Sequence, residues 1–427
     1  MLIRATVRVQ AALLAGAALV TAGCTGTVDA PRPRPPVTIG LLTDGAGADR
    51  VADSEPVRGA QLAVDLVNGA HPGLDLPLTA AAGLPGLGGG RLALAVVNSG
   101  GDPDRAEAAI AELVADHTAV GVVAAERAEV VAIAGAYTDR RQLPMVDGGT
   151  TAEYLLDVGL EWYFRTAPSD RMLAAAAFSL LRDDGAPIGD RIAVLTAAPD
   201  RGADLVALLA ELAAGAGLRL ADPIPADAAT LSLLTSGTAG VTGAAPPEGA
   251  GVTEGPVIAV ATAGGDGAAL TRAWQQWRLG RPLMAMGSGF ADDLPAVDPG
   301  VLRATTWSAE LAGRRPLTRA VSALYEDRHG GPLTAAAAAA FTATLTLAQA
   351  VDAAGSTAPA AVRTALRGLS VPATHTIMPW NGVRFRADGQ NELAAAVVEQ
   401  VSGGEARLVY PPEMATVEVA WTPGAGQ

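Results

Sequence analysis

The chain has 427 residues, half of them hydrophobic, with 44 acidic side chains against 30 basic ones and a formal net charge of −14. That length and apolar content suffice for one large domain or two of ordinary size. All the basic side chains are arginines, and so acidic a chain lacks the basic footprint that a phosphate backbone requires, which excludes nucleic acid as a partner.

At the N-terminus, Arg4 and Arg8 precede an unbroken apolar run from Ala11 to Val20. Charge followed by a short apolar run reads as a secretory signal, since a membrane span needs about 20 apolar residues. Thr21-Ala22-Gly23-Cys24 follows and holds the only cysteine. It resembles the lipobox of bacterial lipoproteins, with Thr21 where leucine is usual. The resemblance implies a signal peptide over 1–23 and a lipid on Cys24 that anchors the chain to the outer face of the cell membrane. The alternative is an ordinary signal beside an incidental thiol. Residues 25–36, ending PRPRPP, read as an extended tether.

Beyond the tether, β-branched apolar runs alternate with segments of helical spacing. VTIGLL (37–42) reads as a strand, 57–70 as a helix, RLALAVVNSG (91–100) as a strand and 103–116 as a helix. The alternation goes on through TAVGVVAA, EVVAIAGAYTDRR and LPMVDGG, then a helix at 171–182, a strand RIAVLTA (191–197) and a helix at 203–215. A strand VIAVATA (257–263), a helix at 271–279 and a strand PLMAMGSG (282–289) follow. Alternation with continuous apolar strands predicts an α/β fold with parallel sheets flanked by helices. The strands are too many for one tidy sheet, so two lobes are expected. Segments 71–90 and 226–256 read as surface loop excursions. Amphipathic helices are expected at 316–330 and 334–354, the second being a packed helix and not a membrane element.

Few motifs point to chemistry. The glycines of GLPGLGGG (83–90) precede a strand, whereas a dinucleotide fingerprint follows one, so a loop is expected. His71, His117, His329 and His375 form no ligand-spaced pair. No nucleophile elbow or phosphate loop occurs. The adjacent pairs Asp183-Asp184 and Asp292-Asp293 read as solvated turns. Nothing asks for a cofactor, a metal or an enzyme.

Several stretches, in order, resemble the periplasmic solute-binding proteins of branched-chain amino acid ABC transporters, the type I binding-protein fold. They are IGLLTDGAG with VRGAQLAVDLVN, NSGGDPDRAEAAIAELVAD, LPMVDGGTTAEY, FRTAPSD, ALYEDRHGGPLTAAAAAAFTATLTLAQAVDAAGS and MPWNGVRFRADGQN. The ordered set runs from about residue 37 to 410. The resemblance implies two lobes joined by three hinge crossovers and closing on a ligand. Residues 37–166 with 310–376 would form the N-terminal lobe, and 167–309 with 377–420 the C-terminal lobe. It further implies a monomer that captures a small-molecule ligand and works with ABC permease subunits.

In open α/β sheets ligands sit outside the carboxyl ends of the strands, near helix N-termini. The candidate ligand-binding residues are therefore Asp44, Arg127, Gly149, Thr150, Thr151, Asp200, Arg201 and Gly265. Where amino-acid-binding members carry a serine pair, this chain has Arg127 and Ala128, and where they have Tyr before Gly it has Arg201-Gly202. Gly289 stands where an acid would hold the ligand's ammonium. These departures suggest a small carboxylate clamped by Arg127 and Arg201, with Thr150 and Thr151 assisting. Alternatively, the arginines face solvent or pair with Glu126 and Asp200 beside them. A rival to transport also stands: a degenerate cleft serving as a sensor or protein-interaction module.

Overall fold

The β-branched runs do become strands, and they assemble into two separate sheets. The computed structural model describes residues 35–45, 51–116, 118–186, 192–196, 199–225, 257–262, 266–276, 282–290, 301–402 and 405–421. Cys24, Gly265, His117, the Asp292-Asp293 pair and the 226–256 excursion lie outside the described residues.

The first sheet is wholly parallel, in the order β2-β1-β3-β4-β5. Its strands are β1 (Val37–Thr43), β2 (Leu92–Asn98), β3 (Val122–Ala125), β4 (Met145–Asp147) and β5 (Tyr163–Arg165). The crossovers are α1 (Glu55–Asn68), α2 (Pro103–Asp116), α3 (Ala128–Arg140) and the short α4 (Tyr154–Asp157). Proline starts α2 at the position where a missing N–H costs nothing. Placing β1 between β2 and β3 makes this pair of gaps the topological switch point, where a crevice opens beyond the strand ends.

The second sheet has the order β14-β13-β10-β9-β8-β6-β7. It comprises β6 (Ala193–Thr196), β7 (Ile224–Pro225), β8 (Val257–Val260), β9 (Leu283–Met286), β10 (Val301–Thr305), β13 (Val397–Ser402) and β14 (Glu405–Tyr410). Its flanking helices are α5 (Asp170–Asp183), α6 (Pro199–Gly215) and α7 (Asp266–Gln276). One departure from expectation is that β13 and β14 run antiparallel to their neighbours, so this sheet is mixed. The two-residue strands β11 (Val371–Pro372) and β12 (Gly382–Val383) form a small separate ladder.

The remaining helices are α8 (Leu311–Arg314), α9 (Pro316–His329), α10 (Ala335–Ala354) and α11 (Pro359–Gly368). Helix α10 is the axis of the first lobe. Thr334 caps it, accepting from the Ala337 N–H, and Gly355 ends it in the left-handed conformation. Its length and composition would suit a membrane, but 78% of its apolar window is buried within the protein, as in a soluble core helix. The expected polar face is absent, because Thr342, Thr344 and Thr346 are buried too. Thr346 satisfies its hydroxyl on the Thr342 carbonyl of its own helix at 2.7 Å. The alanine run lets other backbones approach closely. A Cβ on Gly59 of α1 would lie under 3.0 Å from the Ala337 carbonyl, and one on Gly148 would crowd the Ala339 carbonyl in the same way.

The 71–90 excursion is tied to the core, not merely laid on the surface. Leu76 and Leu84 are buried in the first lobe's cluster, and the Gly86 N–H donates to the Asp352 carboxylate at 2.7 Å. The glycine-rich stretch forms a short 3-10 turn, Pro85–Leu87, ahead of β2. Asp183 and Asp184 end α5 on the exposed surface, with Asp183 paired to Arg182.

The chain crosses between the two cores after β5, after β10 and before β13. Trp307 and Leu311 belong to the first core, whereas Leu173 and Ala174 of α5 belong to the second. Residues 377–394, expected in the C-terminal lobe, instead pack with the first core through Met378, Trp380, Val383 and Phe385. The reason is a splint formed by Gly389, Gln390 and Asn391. The Arg165 N–H donates to the Gly389 carbonyl at 2.8 Å, and the Asn391 N–H donates to the Arg165 carbonyl at 2.9 Å. These residues extend the first sheet beyond β5 by a bridge to Gln390.

Candidate functional site

The register of the first sheet sets three side chains on one edge. Thr43 of β1 is level with Asn98 of β2 and Ala125 of β3. The next residue on each strand is Asp44, Ser99 and Glu126, so the three emerge together at the carboxyl end. The Ser99 N–H donates to the Thr43 carbonyl at 3.1 Å. The Ser99 hydroxyl donates to Oε1 of Glu126.

Glu126 is 8% exposed, and its Oε2 has no hydrogen-bond partner among the described residues. Burial pushes its carboxyl up to about 7, and the charge of Asp44 pushes the same way. The Ser99 hydroxyl, the Arg127 backbone N–H and the Arg127 charge pull it back without prevailing.

Arg127 occupies the N-cap position of α3 and is exposed. It forms no ion pair with Glu126, since its Nη2 donates instead to the Gly101 carbonyl. Gly101 has a φ of +71°, and a Cβ there would sit 3.4 Å from the guanidinium and 3.7 Å from Asp44. Asp44, Ser99, Gly101, Glu126 and Arg127 therefore form one constellation over β2, β1 and β3.

The β4 end is organised around a buried carboxylate. Oδ1 of Asp147 accepts from the Gly149 and Thr150 N–H groups at 2.9 and 3.1 Å. Its Oδ2 accepts from the Thr150 hydroxyl and, at 2.7 Å, from the Tyr163 hydroxyl. The Thr151 hydroxyl donates to Asp170 at 2.6 Å. Both threonine protons expected to meet a ligand carboxylate are thus committed to protein carboxylates. What they do here is fix the loop. Gly149 is exposed with open space where a side chain would stand, so a ligand can approach its backbone. Beneath this loop Arg165, fully buried, donates from Nε to Gln390 at 2.7 Å and from Nη1 to the Ala152 carbonyl at 2.6 Å.

In the second sheet, Asp200 and Arg201 fall in the first turn of α6, and their side chains lie outside the described residues. Thr196, at the end of β6, is buried with its hydroxyl oxygen unpartnered, and Gly202 packs against it. The Gly289 backbone packs against Gly267 at the start of α7.

Sequence reasoning named Asp44 and Arg127 as site residues but gave no role to Ser99, Tyr163 or Asp170. Ser99 was within reach, because it follows β2 in the same polar turn that the strand-end rule singles out. Tyr163 and Asp170 act through side chains folded back from a different element, which no local pattern reports.

The stability of the protein carries a signature of Glu126. A folded-state value of about 7 against an ordinary 4.5 means that the folded chain holds the proton more tightly than the unfolded one. Stability therefore falls as pH rises from about 4.5 to 7, by roughly 2–3 kcal/mol from this group. Glu126→Gln is expected to raise the thermal midpoint at pH 8 and to give no gain near pH 4.5. Equal shifts at both pH values in a calorimetric scan would contradict the assignment.

A family model described as periplasmic binding protein matches residues 36–405. The chain belongs to that family. No curated protein matches it. Among solved structures it is similar to an ABC transporter substrate-binding protein from Desulfitobacterium hafniense in complex with Leu, at 20% identity and a TM-score of 0.68 over 88% of this chain and 100% of that one. It is also similar to the substrate-binding protein LivJ from Streptococcus pneumoniae in complex with isoleucine, at 14% identity and a TM-score of 0.65 over 88% and 100% of the two chains. A solute-binding protein of R. palustris in complex with benzoate matches at 15% identity and a TM-score of 0.64, over 92% and 100%. The fold is thus the type I binding-protein fold foreseen from the ordered motifs.

Proposed function

We propose that this protein is the solute receptor of an ABC importer, capturing a small polar solute, amino acid-like or another small carboxylate, between its two lobes. Family membership implies work outside the cytoplasm, and the lipid on Cys24 would hold the receptor at the membrane face beside its permease. Lobe closure around the solute would create the surface the permease recognises. The observation that carries this reading is the polar constellation of Asp44, Ser99, Glu126 and Arg127 at the switch point of the first sheet. Convergent polar groups at the edge where such folds bind ligands support a receptor cleft. Arg201, in the first turn of α6, would meet the solute's carboxylate from the second lobe, with Arg127 opposite.

The test is native mass spectrometry of the protein purified without denaturation, followed by thermal shift across amino acids, amines and organic acids. One small solute retained, or a single chemical class that raises the midpoint, is the expected result. An empty protein that responds to none of them would instead favour a sensor or interaction module.

A further inference from the structure

The first lobe's constellation is unbalanced in charge. Asp44 and Glu126 stand side by side, and the nearest cation, Arg127, spends a donor on the Gly101 carbonyl. Arg105 of α2 packs against Gly100 on the far side of the same turn. Ser99 satisfies only Oε1 of Glu126 and leaves Oε2 buried with no donor. Burying a carboxylate oxygen without a donor is costly, so at a strand end where ligands of this fold class sit it calls for a donor. An incoming carboxylate would face the charge of Asp44 and could be met only by the protonated form of Glu126. A cation with N–H groups satisfies both the lone pair and the charge.

We propose that Asp44 and the free Oε2 of Glu126 receive a cationic nitrogen of the solute, an ammonium or a guanidinium, at this strand edge. The inference rests on the receptor reading above and deepens it by naming the solute's class. For an amino acid-like solute the carboxylate then turns toward the arginines and the nitrogen toward the acids. A carboxylate without nitrogen would leave the free oxygen unmet.

A proton-linked signature follows. At neutral pH Glu126 is protonated in part, with Asp44 and Arg127 as the charged groups that act on it and Arg105 lying against Gly100 of the same turn. A cation arriving against it expels that proton. Binding at pH 7 is expected to release about half a proton, and affinity at pH 6 to be about tenfold weaker than at pH 8.

The experiment is isothermal titration calorimetry on the full chain in detergent, in buffers of different ionisation enthalpy. The probes are the twenty amino acids, linear amines up to spermidine, the deaminated carboxylate of each amino acid, and benzoate. The expected result is binding confined to nitrogen-bearing probes, with proton release at pH 7. Glu126→Gln should abolish both the release and the pH dependence and weaken binding at least about tenfold, the loss of one charge-assisted bond. Its thermal midpoint reports whether the fold is intact. Preferred binding of benzoate or the deaminated acids would overturn the inference and leave the receptor reading standing. So would nitrogen-bearing probes that bind without proton release and equally well to Glu126→Gln. Failure of every probe to bind would overturn the receptor reading and this inference with it.

Discussion

Replacing Arg165 by alanine should lower the stability of the first lobe by about 3–5 kcal/mol, the range for emptying a large buried side-chain volume, with two acceptors left unmet. The side chain is fully buried at the end of β5 and links three pieces of chain that are remote in sequence. Its Nε holds Gln390, its Nη1 holds the Ala152 carbonyl, and its backbone clasps Gly389 and Asn391. Truncation empties a large volume and strips Gln390 and Ala152 of their donor together. Lysine does not substitute, because a single ammonium cannot serve two acceptors set at the fixed angle of a guanidinium. Denaturant titration followed by the fluorescence of the first lobe's Trp162 and Trp380 is the measurement. A loss below about 1 kcal/mol, a typical single hydrogen bond, would refute the account.

The second large effect is expected at Gly59. Any Cβ at this position of α1 falls under 3.0 Å from the backbone of Ala337 in α10, and backbone cannot turn aside as a side chain can. Gly59→Ala should therefore cost about 3 kcal/mol, the upper end of overpacking, although alanine is the better helix former. Gly313 in α8 supplies the contrast, being exposed with nothing within 4 Å of an added Cβ. There the same substitution is expected to be neutral or to stabilise by up to about 1 kcal/mol. Thermal midpoints of the two variants, measured side by side, check the prediction. A harmless Gly59→Ala would mean that the two helices do not pack this closely.

The layout of the fold was legible because its determinants are local. The run 103–116 reads as a helix from its leading proline and apolar spacing, and the helix has those bounds. The Thr residues of α10 misled for a physical reason. They look polar in sequence, but Thr342, Thr344 and Thr346 are buried, and Thr346 returns its hydroxyl to the helix's own backbone. The place of residues 377–394 was illegible for another reason. It is decided by Gln390 meeting Arg165 across 225 positions, and no local pattern encodes such a meeting. The site divides in the same way. Asp44 and Arg127 follow from the rule that ligands sit at strand ends. That the Thr151 hydroxyl is already held by Asp170 depends on a turn from a later helix.

The splint at 389–391 also bears on when the first lobe can be completed. A chain delivered N-terminus first, from a ribosome or through a membrane pore, exposes all five strands of that sheet by residue 165. Yet the helix that fills its middle begins at Ala335, and the segment that seals its last edge ends at Asn391. One face of those strands is packed by α2 and α3 in a core complete by Tyr163, whereas the other face and the last edge wait for almost the whole polypeptide, contacts of high sequence separation that form late. The lobe is expected to be half built early and closed only when its far C-terminal segment arrives.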